Sequence, residues 1–217
     1  AAESPPKLSF QPSTDGHLRI RDLRVDNPQG QTLIHLADIG IGPGEVLWID
    51  GPSGFGKSTL VKAISGIWRH CDGAIERPRG EILFLPQSAY VPLGSLAAAV
   101  TYPLPPEDTA LIHALLSDVG LAHKLSPEPA HDENATDYKL SCGERQRLIV
   151  ARILAAKPDW VFMDEATSAL DNDAEKEIYA LLRNALPNTA FIVIAHREPR
   201  GLGNYRRVDL REMTKQD

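Results

Sequence analysis

The sequence predicts an α/β domain built on a parallel sheet, and three observations carry that prediction. The run Val46-Leu47-Trp48-Ile49 is continuously apolar, as expected of a strand covered on both faces. A Gly-rich loop follows it, and then Ser58–Trp68 carries Leu60, Val61, Ile64 and Ile67 at helical spacing. Strand, loop and helix in that order open an α/β unit. Runs of the same buried kind return at Glu81–Leu85, Trp160–Met163 and Ala190–Ala195.

The other elements follow in chain order. Residues Ala1–Gly16 are rich in Pro, Ser and Ala without an apolar period, so they are expected to be a linker or the edge of an excised domain. His17–Val25 and Thr32–Ile41 alternate in character and are joined by Asp26-Asn27-Pro28-Gln29-Gly30, the pattern of an antiparallel hairpin. Glu107–Val119 has a helical period through Leu111, Leu115 and Val119, with Gly120 as its stop. Ser126–Asp137, rich in Pro, His and acids, reads as an exposed loop. Helices are expected at Glu144–Ala156 and about Ala174–Leu186. The stretch between the second and third buried runs is too long for a simple crossover. A mainly helical insertion at about 88–150 is therefore expected inside a single domain spanning 17–217.

Composition narrows the function. With 217 residues, 42% hydrophobic and 24% charged, the chain is long enough to bury a core of its own. A net charge of -6 argues against a nucleic-acid-binding surface spread over the domain, while leaving room for a local basic pocket. The only cysteines, Cys71 and Cys142, read as unpaired thiols, and neither lies in a zinc-binding spacing. No apolar stretch approaches the roughly 20 residues that cross a bilayer. Any membrane association is expected to come from a partner or from sequence outside this chain.

The Gly-rich loop carries the chemistry. Gly51-Pro52-Ser53-Gly54-Phe55-Gly56-Lys57-Ser58 fits the spacing G-x-x-x-x-G-K-[ST], with Thr59 continuing into the helix. Glycines let the backbone curl so that its N–H groups face phosphate oxygens, and the helix adds the positive end of its dipole. Lys57 is expected to reach the β- and γ-phosphates of a nucleoside triphosphate, and the Ser58 hydroxyl to bind Mg²⁺. Trp160-Val161-Phe162-Met163-Asp164-Glu165 supplies the matching acids. Asp164, ending a buried strand, suits Mg²⁺, and Glu165 is placed to polarise an attacking water.

These residues resemble those of the ABC (ATP-binding cassette) ATPases, and further motifs follow in the family's order. Gln87 in Leu85-Pro86-Gln87 resembles the Q-loop glutamine. Leu140-Ser141-Cys142-Gly143-Glu144-Arg145-Gln146-Arg147 resembles the signature usually written Leu-Ser-Gly-Gly-Gln. Ser168-Ala169-Leu170-Asp171 resembles the D-loop, and His196 resembles the switch histidine. The resemblance covers about residues 17–210. It implies a P-loop NTPase (RecA-like) core with a parallel sheet, an N-terminal antiparallel β subdomain and an α-helical insertion. It implies an ATPase using ATP and Mg²⁺, in which Gln87 completes the metal shell and His196 bonds the γ-phosphate. Ser141, Gly143 and Glu144 would meet the nucleotide of a second copy in a head-to-tail dimer, with Asp171 reporting across the same interface.

Two departures stand out. Glu144 and Cys142 replace a glutamine and a glycine of the signature, and a carboxylate facing nucleotide there is unfavourable unless it points at ribose or is offset by Arg145 or Arg147. The segment Val25-Asp26-Asn27-Pro28 offers none of the aromatics that normally stack on adenine. The stretch Leu83–Leu96, with Tyr102-Pro103 after it, is similar to the subgroup of peroxisomal fatty-acyl transporters and bacterial relatives linked to peptide or vitamin B12 uptake. In that subgroup the ATPase is fused behind a transmembrane domain. The resemblance thus implies the motor of a membrane transporter on the cytoplasmic face of a bacterial inner membrane. An ABC ATPase acting on ribosomes or DNA would carry tandem cassettes, long coiled-coil insertions or basic patches, none of which is visible. A switch with little turnover is opposed by intact Lys57, Asp164, Glu165 and His196.

Overall fold

The computed structural model describes residues 8–87, 90–92, 94–103, 108–125 and 139–213. Strand β1 (Leu8–Pro12) corrects part of the linker expectation, because it pairs in parallel along its whole length with residues 73–77. What orders it is backbone pairing and the Phe10 ring, which sits 4.0 Å beneath the Arg77 guanidinium. Residues 1–7 lie outside the described residues. β2 (Leu18–Asp26) and β3 (Thr32–Ile41) form the antiparallel hairpin, with Leu18, Ile20, Leu23, Val25, Ile34, Leu36, Ile39 and Ile41 buried.

β4 (Val46–Asp50) follows, and the chain passes through the Gly-rich loop into helix α1 (Lys57–Ser65). Helix α1 is shorter than its apolar period suggests. Gly66 takes a left-handed conformation at its C-terminus, φ 84°, and leaves Ile67 74% exposed. β5 (Cys71–Arg77) then joins β1 and β2, giving a four-stranded sheet in the order β1-β5-β2-β3. Glycine is required at position 73, where φ is 133° and a Cβ would lie 2.7 Å from the Asp22 carbonyl oxygen.

β6 (Ile82–Leu85) leads into a helical stretch. It comprises α2 (Leu96–Thr101), α3 (Thr109–Asp118), a 3₁₀ turn at Ala122–Lys124 and α4 (Cys142–Ala156). In α3 the buried residues are Ile112, Leu115 and Leu116, whereas Leu111, expected on the inner face, is exposed. The expected loop at Ser126–Asp137 lies outside the described residues. β7 (Trp160–Asp164), α5 (Asn172–Ala185), β8 (Ala190–Ile194), β9 (Arg206–Asp209) and α6 (Leu210–Met213) complete the chain.

The five-stranded sheet runs β6-β7-β8-β4-β9, with every pairing parallel. Alternate residues along each central strand feed different cores. Leu47, Ile49, Trp160, Phe162, Ile192 and Ile194 face α1 and the antiparallel hairpin. Val46, Trp48, Val161, Met163, Phe191 and Val193 face α2 to α5. Burial on both faces is the physical reason these strands read as unbroken apolar runs. Because the strands are parallel, their carboxyl ends share one edge, the edge at which open α/β sheets bind ligands. Asp50 before the loop, Leu85 before Gln87, Asp164 before Glu165 and Ile194 before His196 all end there.

Candidate functional site

The Gly-rich loop joins β4 to α1 through left-handed turns at Gly54, φ 81°, and Gly56, φ 82°. A side chain on Gly56 would press on Ile34 at 3.3 Å, so only glycine lets the loop pack against the hairpin. Helix α1 has no side-chain cap and no acid in its first turn. Its leading N–H groups, with no intrahelical acceptors, therefore present an uncompensated positive end. Lys57 is only 5% exposed. Its Nζ donates to the Gly51 carbonyl at 2.6 Å and the Pro52 carbonyl at 3.3 Å, and lies 3.4 Å from both ring nitrogens of His196. Partly exposed loop amides beside a buried ammonium are an arrangement suited to an anion.

Asp164 and Glu165, neighbours in sequence, stand in different environments. Asp164 is 5% exposed, and its Oδ1 is buried with no hydrogen-bond partner. Burial pushes its carboxyl above the ordinary range, opposed by the Ser58 hydroxyl that bonds it and by the Lys57 charge. An orphaned carboxylate oxygen beside a hydroxyl, next to a phosphate-type loop, fits a hard divalent cation such as Mg²⁺. That ion typically takes one or two protein oxygens and fills its shell with phosphates and water. Glu165 stands in left-handed backbone geometry, φ 51°, which costs a non-glycine residue about 1–3 kcal/mol and is held by its N–H bond to the Ile194 carbonyl at 2.9 Å. Its Oε2 accepts from Gln87 Nε2 at 2.7 Å, and its Oε1 lies 3.1 Å from His196 Nε2.

Residues far apart in sequence thus meet in one group: the loop 51–59, Gln87, Asp164, Glu165 and His196. Ser141, Gly143 and Glu144 do not join it. Among the described residues, no hydrogen bond or ion pair links 141–144 to 51–59. Ser141 caps α4, and a capping box forms with Glu144, whose Oε2 accepts from the Ser141 N–H at 2.8 Å. The expected offset of Glu144 by Arg145 or Arg147 is corrected. Its partners are Lys124 Nζ at 3.1 Å and His123 Nε2 at 3.3 Å, while Arg147 donates to the Val119 carbonyl at 3.0 Å. The Ser141 backbone N–H, with Lys124 and His123, brings the Glu144 carboxyl down to about 2. Asp171 caps α5, accepting from the Ala174 N–H at 2.8 Å.

Other contributors were hidden in the sequence. Trp48, read only as part of an apolar run, donates Nε1 to the Ala195 carbonyl at 2.9 Å and so fixes the peptide before His196. Gln146 and Arg197 grip the turn after Glu165. None of these has a one-dimensional signal, since each acts through a backbone atom distant in sequence.

Comparison with known proteins agrees with this geometry. The family model described as ABC transporter matches residues 34–168. An uncharacterised ABC transporter ATP-binding protein of Haemophilus influenzae is 39% identical over 82% of the chain, and the match covers 30% of that protein. The inner membrane ABC transporter ATP-binding protein YddA of Escherichia coli is 30% identical over 83% of the chain, covering 32% of that protein. Human ATP-binding cassette sub-family D member 3 is 31% identical over 85% of the chain, covering 29% of that protein. The chain therefore spans about a third of the length of these relatives. A solved structure, a putative ABC transporter ATP-binding protein from Pyrococcus furiosus, superposes with a TM-score of 0.72 at 23% identity, covering 92% of this chain and 100% of that one, a likeness in fold. On the family match, the relatives and a site whose loop, acids and histidine meet at one sheet edge, this chain belongs to the ABC transporter family, as an ATP-binding domain of that family of ATPases.

Proposed function

We propose that the domain, which includes β1 in its four-stranded sheet and has its helical insertion at about 88–150, is the motor of a membrane transporter. In this reading it works on Mg²⁺-ATP as a head-to-tail dimer beside a transmembrane domain of the same native chain, on the cytoplasmic face of a bacterial inner membrane. The observation that carries the ATPase chemistry is the convergence of Lys57, Asp164, Glu165 and His196 on one buried-to-exposed edge. The membrane setting is supported by relatives that extend well beyond the matched third, one of them named as an inner membrane protein.

The residues divide the work as follows. The loop amides and Lys57 take the β- and γ-phosphates, so Lys57 exchanges its bonds to the Gly51 and Pro52 carbonyls for phosphate oxygens. Ser58 and Asp164 would hold Mg²⁺, with Gln87 contributing to its shell, and the ion would supply charge neutralisation for the phosphoryl group being transferred. Glu165 accepts the proton of the attacking water. His196 gives up its present contact with Glu165 to bond the γ-phosphate and fix the water's line of approach. Gln87, now bonded to Glu165, releases that carboxylate when nucleotide enters.

The dimer is supported by the placement of 141–144. In this reading Ser141 and the Gly143 backbone, which no hydrogen bond or ion pair joins to their own phosphate loop among the described residues, would meet the phosphate of another copy beside the Glu144 capping box. A Cβ on Gly143 would meet Leu170 at 3.6 Å, an ordinary contact, so nothing in its own chain demands glycine there. A nucleotide brought by another copy would give the small residue a reason. In Glu165→Gln, ATP binding should persist while hydrolysis falls at least about 100-fold, and the protein should collect as an ATP-dependent dimer in light scattering. Turnover at the wild-type rate would remove Glu165 from the base role.

A further inference from the structure

The turn Ser168–Asp171 is gripped from both sides by side chains that touch neither the phosphate loop nor the acids. From α4, the buried Gln146 accepts from the Ala169 N–H at 2.8 Å and donates to Ser168 Oγ at 3.4 Å. From the other side comes Arg197, the residue after His196. Its Nη1 donates to Asn172 Oδ1 at 2.6 Å, and its Nη2 to the Leu170 carbonyl at 3.1 Å and the Ser168 carbonyl at 3.4 Å. Its Nε lies 3.6 Å from Glu175 Oε2. Glu175 is itself fixed, 6% exposed, with Oε1 accepting from the Thr167 hydroxyl at 2.6 Å, and that hydroxyl meets the Tyr179 hydroxyl at 2.8 Å.

A planar fork of donors is the group that can satisfy several oxygens lying in different directions at once; a lysine ammonium has no such fixed geometry. We propose that Arg197 is a positioning residue, locking the Ser168–Asn172 turn to the strand end that carries His196, so that turn and histidine move as one body. Trp48 holds the peptide on the other side of His196 through the Ala195 carbonyl. The imidazole is thereby braced from both directions along the backbone. Gln146 extends the same brace to α4, whose first residues form the signature segment. Displacement of that segment or of the turn reaches His196 through side-chain contacts, with no change needed in the phosphate loop.

This inference rests on the ATPase reading. It separates Arg197 from a role in binding: among the described residues the guanidinium makes no hydrogen bond to the phosphate loop, so its loss should misplace His196 without weakening the grip on nucleotide. Misplacement of about 1 Å can cost on the order of 100-fold in rate. The test is steady-state ATP hydrolysis together with nucleotide titration on the protein and three variants. Arg197→Ala should lower kcat at least about 10-fold with nucleotide affinity within about 2-fold. Arg197→Lys should recover part of that loss. Asn172→Ala, which removes one acceptor at an exposed helix start and exposes no buried charge, should lower kcat by roughly 3-fold, also without a change in KM. The inference is overturned by wild-type kcat in either alanine variant, or by an Arg197→Ala loss confined to KM. A wild-type protein that does not hydrolyse ATP overturns the ATPase reading itself, an outcome that these variants cannot imitate.

Discussion

Asp164 is the residue where stability and function oppose each other. Its carboxyl is pushed up by burial, so the nucleotide-free fold favours the protonated form. A carboxyl raised above its unfolded value of about 3.9 contributes fully below that value, and the contribution is lost as pH rises through the higher folded value. Wherever that carboxyl is ionised, the domain carries a buried charge that a cation would relieve. Asp164→Asn keeps the shape and the bond to Ser58 while removing the charge. Without nucleotide it should melt at or above the wild-type temperature at pH 7, by up to a few degrees, with the gap closing below about pH 4. The same variant should bind ATP with no enhancement by Mg²⁺ in calorimetry. A variant that melts several degrees lower at pH 7 would mean that the carboxylate contributes to the fold instead of burdening it. Lys57, Asp164 and Glu165 were legible because their chemistry is written in short spacings next to buried runs. Trp48 and Arg197 were not, because a hydrogen bond to a carbonyl leaves no periodicity behind.

Helix α4 shows how an element can absorb a departure in its sequence. Glu144 occupies the third helical position, where a carboxylate can reach back to the Ser141 N–H and interact with the positive helix end. With Lys124 and His123 beside it, the charge has partners from within its own chain. Glu144→Ala should destabilise the domain by about 1 kcal/mol at pH 7, within the range of lost caps. A carboxyl held at about 2 against an unfolded value near 4.3 contributes above the latter and loses that contribution as pH falls through the former. Denaturant melts of wild type and variant should therefore converge as pH drops from about 4.5 towards 2; a constant gap would assign the effect to packing. The strands show the limits of legibility in the same terms. Those buried on both faces, such as Trp160–Asp164, announce themselves. β5 (Cys-Asp-Gly-Ala-Ile-Glu-Arg) does not, since among its residues only Cys71 and Ile75 are buried core and Gly73 is dictated by the backbone of β2. β9, with two arginines exposed and only Val208 and Asp209 buried, is recruited by pairing beside β4 and by Arg207 bridging Asp50 at 2.6 Å. Tertiary pairing made these strands; local pattern did not.

At the scale of the whole molecule, the proposed head-to-tail dimer has a consequence that no single copy can show. Each sandwiched site would take its loop from one copy and its Ser141–Gly143 surface from the other. Lys57→Ala damages the loop and leaves the signature surface intact. Gly143→Asp leaves the loop intact and places a carboxylate against the phosphate expected from the partner, at a position whose own surroundings accept a side chain. Homodimers of either variant have two damaged sites and should hydrolyse ATP at no more than a few per cent of the wild-type rate. In a mixed dimer the defects fall together. One site carries both the damaged loop and the damaged surface, while the other pairs an intact loop with an intact surface. An equimolar mixture should therefore regain activity well above the sum of its parts, limited by the fraction of dimers that form mixed and by any coupling between the sites. Nucleotide binding by Gly143→Asp alone should stay near wild type, because its loop is untouched. If the mixture were no more active than its components, with mixed dimers demonstrated by differential tagging, the two surfaces would not belong to one site, and the placement of α4 would need another explanation.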